Sequence, residues 1–531
     1  MARRACLGLT VILLFMIGTL PILSMLMKSV VVDGHLSLAS YGGLLVSSHQ
    51  WILMGHSMIL SSLVTALTTA IGVPLGILLG KTDLPFRRFF RVLFVVPLLI
   101  PPYIIAVSWL DLLGSEGLLA QLLGTAVIRA TAPMLFGLPG CVIVLFSVFL
   151  PIPMLLTMVF LRTINPRLEE AGRLVSGWRG VMQEITIPLI LPGVLLSAML
   201  VFLLSFGEFS VPNFLRYDVF PVESFTQFSA FYNFKAATAA AVPLAAVTMV
   251  LLLVEGVFLR DRTYQLRPSP GLDGQALIGL GARRRGLLLL VAIIGLVVVF
   301  VPVVVLVIQS AGLTAYVEAL SRAGDSLLRS LIYAVIGASL LTVLGFFTGY
   351  LIQTKAFRFW RSVDSMTIFL FALPSTVIGI GLITLWNTPW TNFIYSTPWI
   401  IIFGYLAKYT ALTSRISVTQ FAQIPPSMEE AAQIAGARWF RRMVFIVAPL
   451  ARRGLLAGWL VGYIFSLRDT GITMLVYPAG HETLPIRIFT LMANGSPELI
   501  AALCMVMIAA TLLPPGVLWM VSDMRKKAVI G

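Results

Sequence analysis

Apolar stretches long enough to cross a bilayer recur along the whole chain. A helix needs about 20 residues to cross roughly 30 Å of hydrocarbon. Because a membrane leaves no backbone group to water, helices of this length are the natural spanning elements. The pattern predicts an all-α integral membrane protein of about 12 transmembrane helices. The apolar windows centre near Phe15, Ala66, Pro101, Val148, Leu200 and Val247, and then near Val298, Ala338, Leu373, Phe403, Leu460 and Ile508.

A polar stretch separates the two sets of windows. It contains Pro268, Pro270, Gly271 and Gly274 and has arginines at both ends, as is typical of a linker. We therefore predict a first six-helix unit over residues 1–260, a cytoplasmic linker over 261–285, and a second six-helix unit over 286–531. Because each unit has an even number of spans, the units would share one orientation, as a parallel repeat.

The composition excludes a water-soluble globule. Of the 531 residues, 59% are hydrophobic and 11% are charged, whereas soluble domains carry about 25% charged residues. The net charge of +15 could suggest nucleic acid. With the N-terminus inside, however, most of the 37 lysines and arginines fall in cytoplasmic segments, as the positive-inside rule requires. Lys408 and Arg415 are predicted to flank the inner end of the tenth span. We predict a multi-pass protein of the inner (plasma) membrane, in contact with lipid, with both termini cytoplasmic and no nucleic-acid partner.

The cysteines indicate neither a disulfide framework nor a metal site. Cys6, Cys141 and Cys504 are scattered in apolar surroundings, without CxxC spacing and without a histidine nearby in sequence. We predict no metal site, no cofactor and no catalytic residue.

A lysine after the second apolar window superficially resembles part of a P-loop. That loop needs four residues between its first glycine and GK[ST], whereas only three separate Gly76 from Gly80, Lys81 and Thr82. We therefore interpret Lys81 as a positive-inside anchor.

A short motif precedes the eleventh predicted span, in the loop 429–449. The chain there reads EEAAQIAGARWFRRMVFIVAPLARRG. It resembles the EAA loop of binding-protein-dependent ABC importers, in which EAA is followed by three residues, Gly, nine residues, Ile, any residue and Leu-Pro. Ala448 replaces the leucine. The residues that match are Glu430, Ala431, Ala432, Gly436, Ile446 and Pro449.

A looser copy lies in the first half, in the loop 169–188, which reads EEAGRLVSGWRGVMQEITIP. Gly172 replaces the second alanine and Ser176 stands at the usual glycine position. The distance from the motif glutamate to the proline is one residue shorter than in the family pattern. Glu170, Ala171, Ile185 and Pro188 match.

The resemblance implies a type I ABC importer permease that does not hydrolyse ATP itself. In that family the loop helix docks on an ATPase subunit, so two ATPase subunits on the cytoplasmic face and a periplasmic or extracellular solute-binding protein are implied as partners. The alternative is an amphipathic loop helix with a chance match. The implied ATPase-coupling residues are Glu170, Ala171, Gly172, Glu430, Ala431, Ala432 and Gly436.

The resemblance is closest to fused, double-length permeases for ferric iron. It is carried by KTDLPFRRFFRVLFVVPLLIPPYIIAVSWL from Lys81 and LVYPAGHETLPIRIF from Leu475. Ferric iron is the solute it favours, with thiamine, aminoethylphosphonate, polyamines and sulfate as alternatives in related permeases. Fe(III) prefers hard oxygen ligands, and the external loop after Glu208 contains four residues with such oxygens. They are explained equally well as ordinary solvated loop residues. They are Tyr217, Asp218, Glu223 and Tyr232.

Carboxylates follow the two motif prolines at the same distance. Glu208 lies 20 residues after Pro188 and Asp469 lies 20 residues after Pro449, with Arg468 beside it. Ionisable groups near a span are costly unless they are paired or face water. We predict that Glu208, Arg468 and Asp469 line the solute pathway or its outer gate; an interfacial position or a structural salt bridge is the alternative.

A secondary transporter driven by an ion gradient is the alternative class. It would also have twelve spans in parallel halves with a polar linker. It would not require EAA loops.

Overall fold

The computed structural model of the chain describes residues 2–32, 35–37, 41–42, 46–114, 117–123, 135–229, 231, 234–258 and 277–530. Within these ranges, nine helices are long and apolar enough to cross a membrane. They are Ala2–Val30, Ser48–Lys81, the helix that begins at Pro102, Leu138–Leu161, Pro166–Phe206, Ala236–Val257, Gly281–Gln309, Leu313–Gln353 and Pro497–Leu518.

Three more spans depart from a plain apolar helix. Two are bent pairs, Trp360–Ala372 with Ser375–Trp386 at 108° and Trp439–Leu450 with Arg452–Arg468 at 80°. The third is Trp399–Phe421, which has 23 residues and includes two cations. With each bent pair taken as one span, the described residues contain up to 11 candidate spans. Trp399–Phe421 is included with them below, and the twelve segments are numbered 1 to 12 in chain order. The prediction of an all-α membrane protein of about twelve helices is confirmed.

Short elements connect the spans. A small antiparallel hairpin follows span 1, with Val31 opposite Leu36 and Val32 opposite His35. The strands are Val31–Val32 and His35–Leu36, and the short helices are Arg87–Leu93, Val96–Leu99, Leu118–Leu123, Ser210–Phe214, Phe220–Ser229, Asn392–Tyr395, Pro426–Ile434, Thr473–Val476 and Leu484–Leu491.

Widened helical turns recur at matching places in the two halves. Spans 1 and 7 contain π-helical turns at Phe15–Thr19 and Leu296–Phe300, and spans 5 and 11 contain them at Val181–Thr186 and Met443–Val447. Each turn ends two residues before a proline. Because proline lacks an N–H and its ring crowds the preceding turn, the helix there widens rather than continuing its regular bonding. The internal repeat is therefore visible in the backbone as well as in the sequence.

Small residues bring spans into close contact within each half. A Cβ atom on Gly76 of span 2 would lie 2.6 Å from the carbonyl oxygen of Met154 in span 4. A Cβ atom on Gly349 of span 8 would likewise lie 2.6 Å from the Cβ of Ser417 in span 10. Small residues at such positions let transmembrane helices pack backbone against backbone.

The chain forms two compact units. Unit A comprises residues 1–47, 223–245 and 312–531, so span 1 belongs with spans 8 to 12. Unit B comprises residues 48–222 and 246–311, so span 7 belongs with spans 2 to 5. Residues 261–276 of the predicted linker lie outside the described residues. The boundaries of the sequence repeat stay a prediction, because compact units and sequence repeats divide a chain by different criteria.

Apolar packing explains why spans 1 and 7 join these units. In unit B, Val291 of span 7 is fully buried in one cluster with Leu79 and Phe94. In unit A, Gly381 of span 9 faces the backbone of Pro21 in span 1, and Lys28 Nζ donates to the carbonyl of Thr384 at 2.8 Å. Each unit thus buries an apolar helix from elsewhere in the sequence.

Candidate functional site

The first EAA-like loop begins as a capped helix and breaks at a glycine. Asn165 caps the helix by accepting the Arg167 N–H at 3.0 Å. Glu170 and Ala171 are exposed, and Gly172 is half-buried. The break falls at Gly177, with φ 67° and ψ −178°, a backbone conformation that only glycine adopts readily. Gly177 directly follows Ser176, the residue that stands at the usual glycine position of the motif.

The second loop makes the turn that its motif predicts. The helix Pro426–Ile434 exposes Glu430 and Ala431 and leaves Ala432 half-buried. Gly436 then adopts φ 81°, and the Ala437 N–H donates back to the Ala432 carbonyl at 3.0 Å. Because positive φ suits glycine, the motif glycine is explained by this helix end.

Both loops present bare apolar side chains among charged neighbours. Leu174 and Val175 are each 90% exposed in the first loop, and Ile434 is 88% exposed in the second. Arginines flank the first pair at Arg173 and Arg179, which places these side chains beside polar groups rather than within an apolar span. Exposed apolar groups with a polar rim are typical of a protein docking surface.

The glutamate before each EAA sequence turns inward. Glu169 is 0% exposed and its Oε2 accepts from Lys81 Nζ, while Thr186 Oγ1 donates to its Oε1 at 3.1 Å. Lys81 is itself 1% exposed, so its ammonium group is held by Glu169 rather than left open to solvent. Its interpretation as a positive-inside anchor stays a prediction.

The second loop uses a different partner for the corresponding glutamate. Tyr350 OH donates to Glu429 Oε1 at 2.8 Å. Arg442 lies 4.0 Å from the same oxygen and donates to Gln433 Oε1 at 2.6 Å. We did not predict Glu169 or Glu429 as functional, although the doubled glutamate in both loops was a visible signal.

Positive charge surrounds the base of the first loop. Arg91 Nε donates to the Leu79 carbonyl at 3.0 Å, two residues before Lys81. Burial, and then the charges of Arg87, Arg162 and Arg88, lower the pKa of Arg91 from its ordinary value. A buried carboxylate is therefore the electrostatically favourable group to place here.

The predicted pathway residues lie in different units. Glu208 of unit B is half-buried, follows the end of span 5 and accepts the Ser210 N–H at 2.9 Å. Asp469 of unit A is buried: one carboxylate oxygen accepts the Tyr409 hydroxyl at 2.6 Å, and the other accepts the N–H groups of Ile472 and Thr473. Arg468 lies 4.8 Å from the centre of the Phe465 ring. The pathway role of all three stays a prediction.

Two cations predicted at the inner end of span 10 lie deeper within it. Lys408 is the tenth residue of Trp399–Phe421, and its Nζ donates to the Leu373 carbonyl at 2.9 Å and to Ser375 Oγ at 2.8 Å. Arg415 pairs with the buried carboxylate of Asp364 at 2.8 Å. The prediction that they flank the span end is wrong, because both serve polar groups of the bent span 9.

The external oxygen ligands considered for iron have other contacts. Tyr217 stacks on His56, and the Asp218 carbonyl lies 2.9 Å from His56 Nδ1. Glu223 Oε1 accepts from Gln227 at 2.8 Å, and Tyr232 lies outside the described residues. Among the described residues, no group of three or more His, Cys, Asp and Glu is arranged to hold a metal ion. The three cysteines are free thiols.

Comparison with known proteins identifies the second half directly. Residues 341–522, which contain the second EAA loop, match the family described as the binding-protein-dependent transport system inner membrane component. This part of the chain therefore carries the membrane domain of that family. Its inner-membrane location and multi-pass character agree with the prediction.

Two relatives extend the match across both halves of the chain. A putative ferric transport system permease protein of Haemophilus influenzae, FbpB 1, is 23% identical over 422 residues, covering 75% of this chain and 66% of the relative. The ferric transport system permease protein FbpB of Actinobacillus pleuropneumoniae is 22% identical over 415 residues, covering 74% and 59%. The chain thus spans less than two thirds of the length of either relative. The predicted resemblance to double-length permeases of this family is confirmed.

A shorter relative matches about a third of the chain. The spermidine/putrescine transport system permease protein PotC of Haemophilus influenzae is 28% identical over 195 residues, covering 35% of this chain and 74% of the relative.

Proposed function

We propose that the chain is the transmembrane subunit of an ABC importer, driven by separate ATPase subunits that dock on the two EAA loops. One observation carries the proposal: each loop exposes its motif glutamate and a bare apolar side chain while the preceding glutamate binds the inner end of a span. Such a loop offers a docking surface on one side and a mechanical link to the membrane on the other.

The partners follow from this arrangement. Each chain carries two loops, so one copy would take two ATPase subunits on the cytoplasmic face. The termini would lie on that face as well, and a solute-binding protein would deliver the solute from the opposite side. ATP hydrolysis would belong to the partner subunits, because the glycine-lysine sequence at the end of span 2 lacks P-loop spacing.

Ferric iron is the solute that we propose first. Two relatives that match both halves are named as ferric transport permeases. A relative that matches 35% of the chain is named for spermidine and putrescine, so polyamines are a second candidate. Aminoethylphosphonate, thiamine and sulfate remain in the test because the sequence resemblance extends to their permeases.

Reconstitution tests the class and the solute together. The chain, its ATPase and its binding protein are placed in proteoliposomes, and ATP hydrolysis and uptake are measured with each candidate solute. We expect one solute-loaded binding protein to stimulate hydrolysis and to support uptake that stops without ATP. Uptake by the chain alone, driven by an ion gradient, would instead make it a secondary transporter.

A further inference from the structure

A buried ion pair joins the first EAA loop to the inner end of span 2. Lys81 is the last residue of that span and Glu169 lies in the helix that opens the loop. Their charged groups are almost wholly removed from solvent, and Thr186 donates to the second carboxylate oxygen. Salt screens such a pair little, and removing one partner leaves the other charge buried without compensation.

The same position in the second half carries a neutral link. Tyr350 follows Gly349 on span 8 as Lys81 follows Gly80 on span 2, and its hydroxyl donates to Glu429. The cation near Glu429 is Arg442, which belongs to the loop region itself. In the first half, an ion pair therefore joins the loop to the span. In the second half, the ion pair between Arg442 and Glu429 lies within the loop region.

The base of span 7 is bonded to the same junction. The Lys81 carbonyl accepts the Ile278 N–H at 2.9 Å, and Asp83 Oδ1 accepts the Leu280 N–H at 3.0 Å. These contacts attach the segment that leads into span 7 directly beside the ion pair. A displacement of Lys81 would therefore also reach the start of that span.

We propose that Lys81 and Glu169 are positioning residues that transmit movement of the first EAA loop to span 2 and to the base of span 7. The second loop transmits movement through the hydrogen bond between Tyr350 and Glu429. The two loops are thus mechanically unequal. This inference rests on the proposed function, because it needs an ATPase that moves the loops.

Charge reversal tests the pair. Lys81→Glu, Glu169→Lys and the double variant are reconstituted with the ATPase and the loaded binding protein, and the solute transported per ATP hydrolysed is measured. We expect each single variant to lose about tenfold or more in this ratio, because each places like charges together in a buried site. The double variant should recover to within about threefold of the wild type, because the attraction is restored.

Tyr350→Phe is the matched variant in the second half. It removes one hydrogen bond from a neutral donor, leaves Arg442 near the half-buried Glu429 carboxylate and buries no unpaired cation, so the ratio should fall by no more than about threefold. An effect of Tyr350→Phe as large as that of the single reversals would overturn the inequality of the loops.

Folding is followed separately by the yield and melting temperature of purified protein. If the single reversals do not fold, Lys81→Met with Glu169→Gln replaces them as a neutral pair. A folded neutral pair with reduced solute transported per ATP supports the proposal, and one with the wild-type ratio overturns it. Absence of ATP-driven transport in the wild type would instead reject the proposed function, so the two failures are distinguishable.

Discussion

Lys408 of span 10 donates a hydrogen bond of 2.9 Å to the carbonyl of Leu373, at the bend of span 9. A bend in a transmembrane helix frees backbone groups that the bilayer cannot satisfy. The lysine ammonium meets this demand and also bonds Ser375. A charge that would be costly in an isolated apolar span is thus part of the packing of unit A.

Replacing this lysine should destabilise the protein. Lys408→Met leaves the Leu373 carbonyl with one donor fewer, at a cost of about 1–3 kcal/mol. The melting temperature in detergent should fall accordingly. Lys355→Met is the control, because Lys355 is exposed just after the end of span 8. Equal melting temperatures for the wild type and both variants would contradict this role of Lys408.

The exposed apolar side chain of the second loop should contribute to ATPase affinity. Burying a side chain such as isoleucine contributes about 1.5–3 kcal/mol, so Ile434→Ser should raise the Kd for the ATPase by roughly tenfold or more. Trp390→Ser is matched in exposure, since both residues are 88% exposed, and lies in an external loop on the predicted topology. A Kd unchanged by Ile434→Ser would remove this residue from the docking surface.

Gly177 of the first loop should contribute more to stimulated ATP hydrolysis than its neighbour Ser176. Gly177→Ala forces a side chain into the backbone conformation at φ 67° and ψ −178°, at a cost of about 1–3 kcal/mol. ATP hydrolysis stimulated by the binding protein should fall severalfold. Ser176 stands where the family pattern places glycine, and Ser176→Ala should have little effect on this hydrolysis. A larger loss for Ser176→Ala than for Gly177→Ala would show that the motif position, and not the backbone geometry, determines the effect.

The two predicted pathway carboxylates should behave differently. Asp469→Asn turns one acceptor oxygen into an amide donor among Tyr409, Ile472 and Thr473, so the melting temperature should fall. Glu208→Gln changes a half-buried group and not a fully buried one, and we expect reduced transport at a nearly unchanged melting temperature. Unchanged transport in both variants would exclude them from the pathway.

Apolar windows predicted the spans because a membrane helix requires about 20 mostly apolar residues in succession. The window near Phe403 identified span 10 despite Lys408 and Arg415, yet placed these cations at its end. A hydropathy window averages over a bend, so the window near Leu373 gave no sign that span 9 breaks there. The partner of each buried cation lies on another helix, and no local pattern encodes it.

The candidate site was predicted in part. The loops 169–188 and 429–449 were found from their motif, and the exposure of Glu170 and Glu430 agrees with a docking role. The anchor between Lys81 and Glu169 was missed, because these residues are 88 positions apart and a lysine at the end of a span has an ordinary topological explanation. The placement of spans 1 and 7 in the compact units likewise depends on long-range packing.

Photo-crosslinking from the two loops is the most direct test of the central claim, that both loops dock ATPase subunits. A photoreactive amino acid is introduced at Val175, at Ile434 or at the control position Trp390, and the assembled complex is irradiated in membranes. We predict that positions 175 and 434 each capture the ATPase and that position 390 does not. Active ATP-driven transport with no ATPase captured from either loop would contradict the claim.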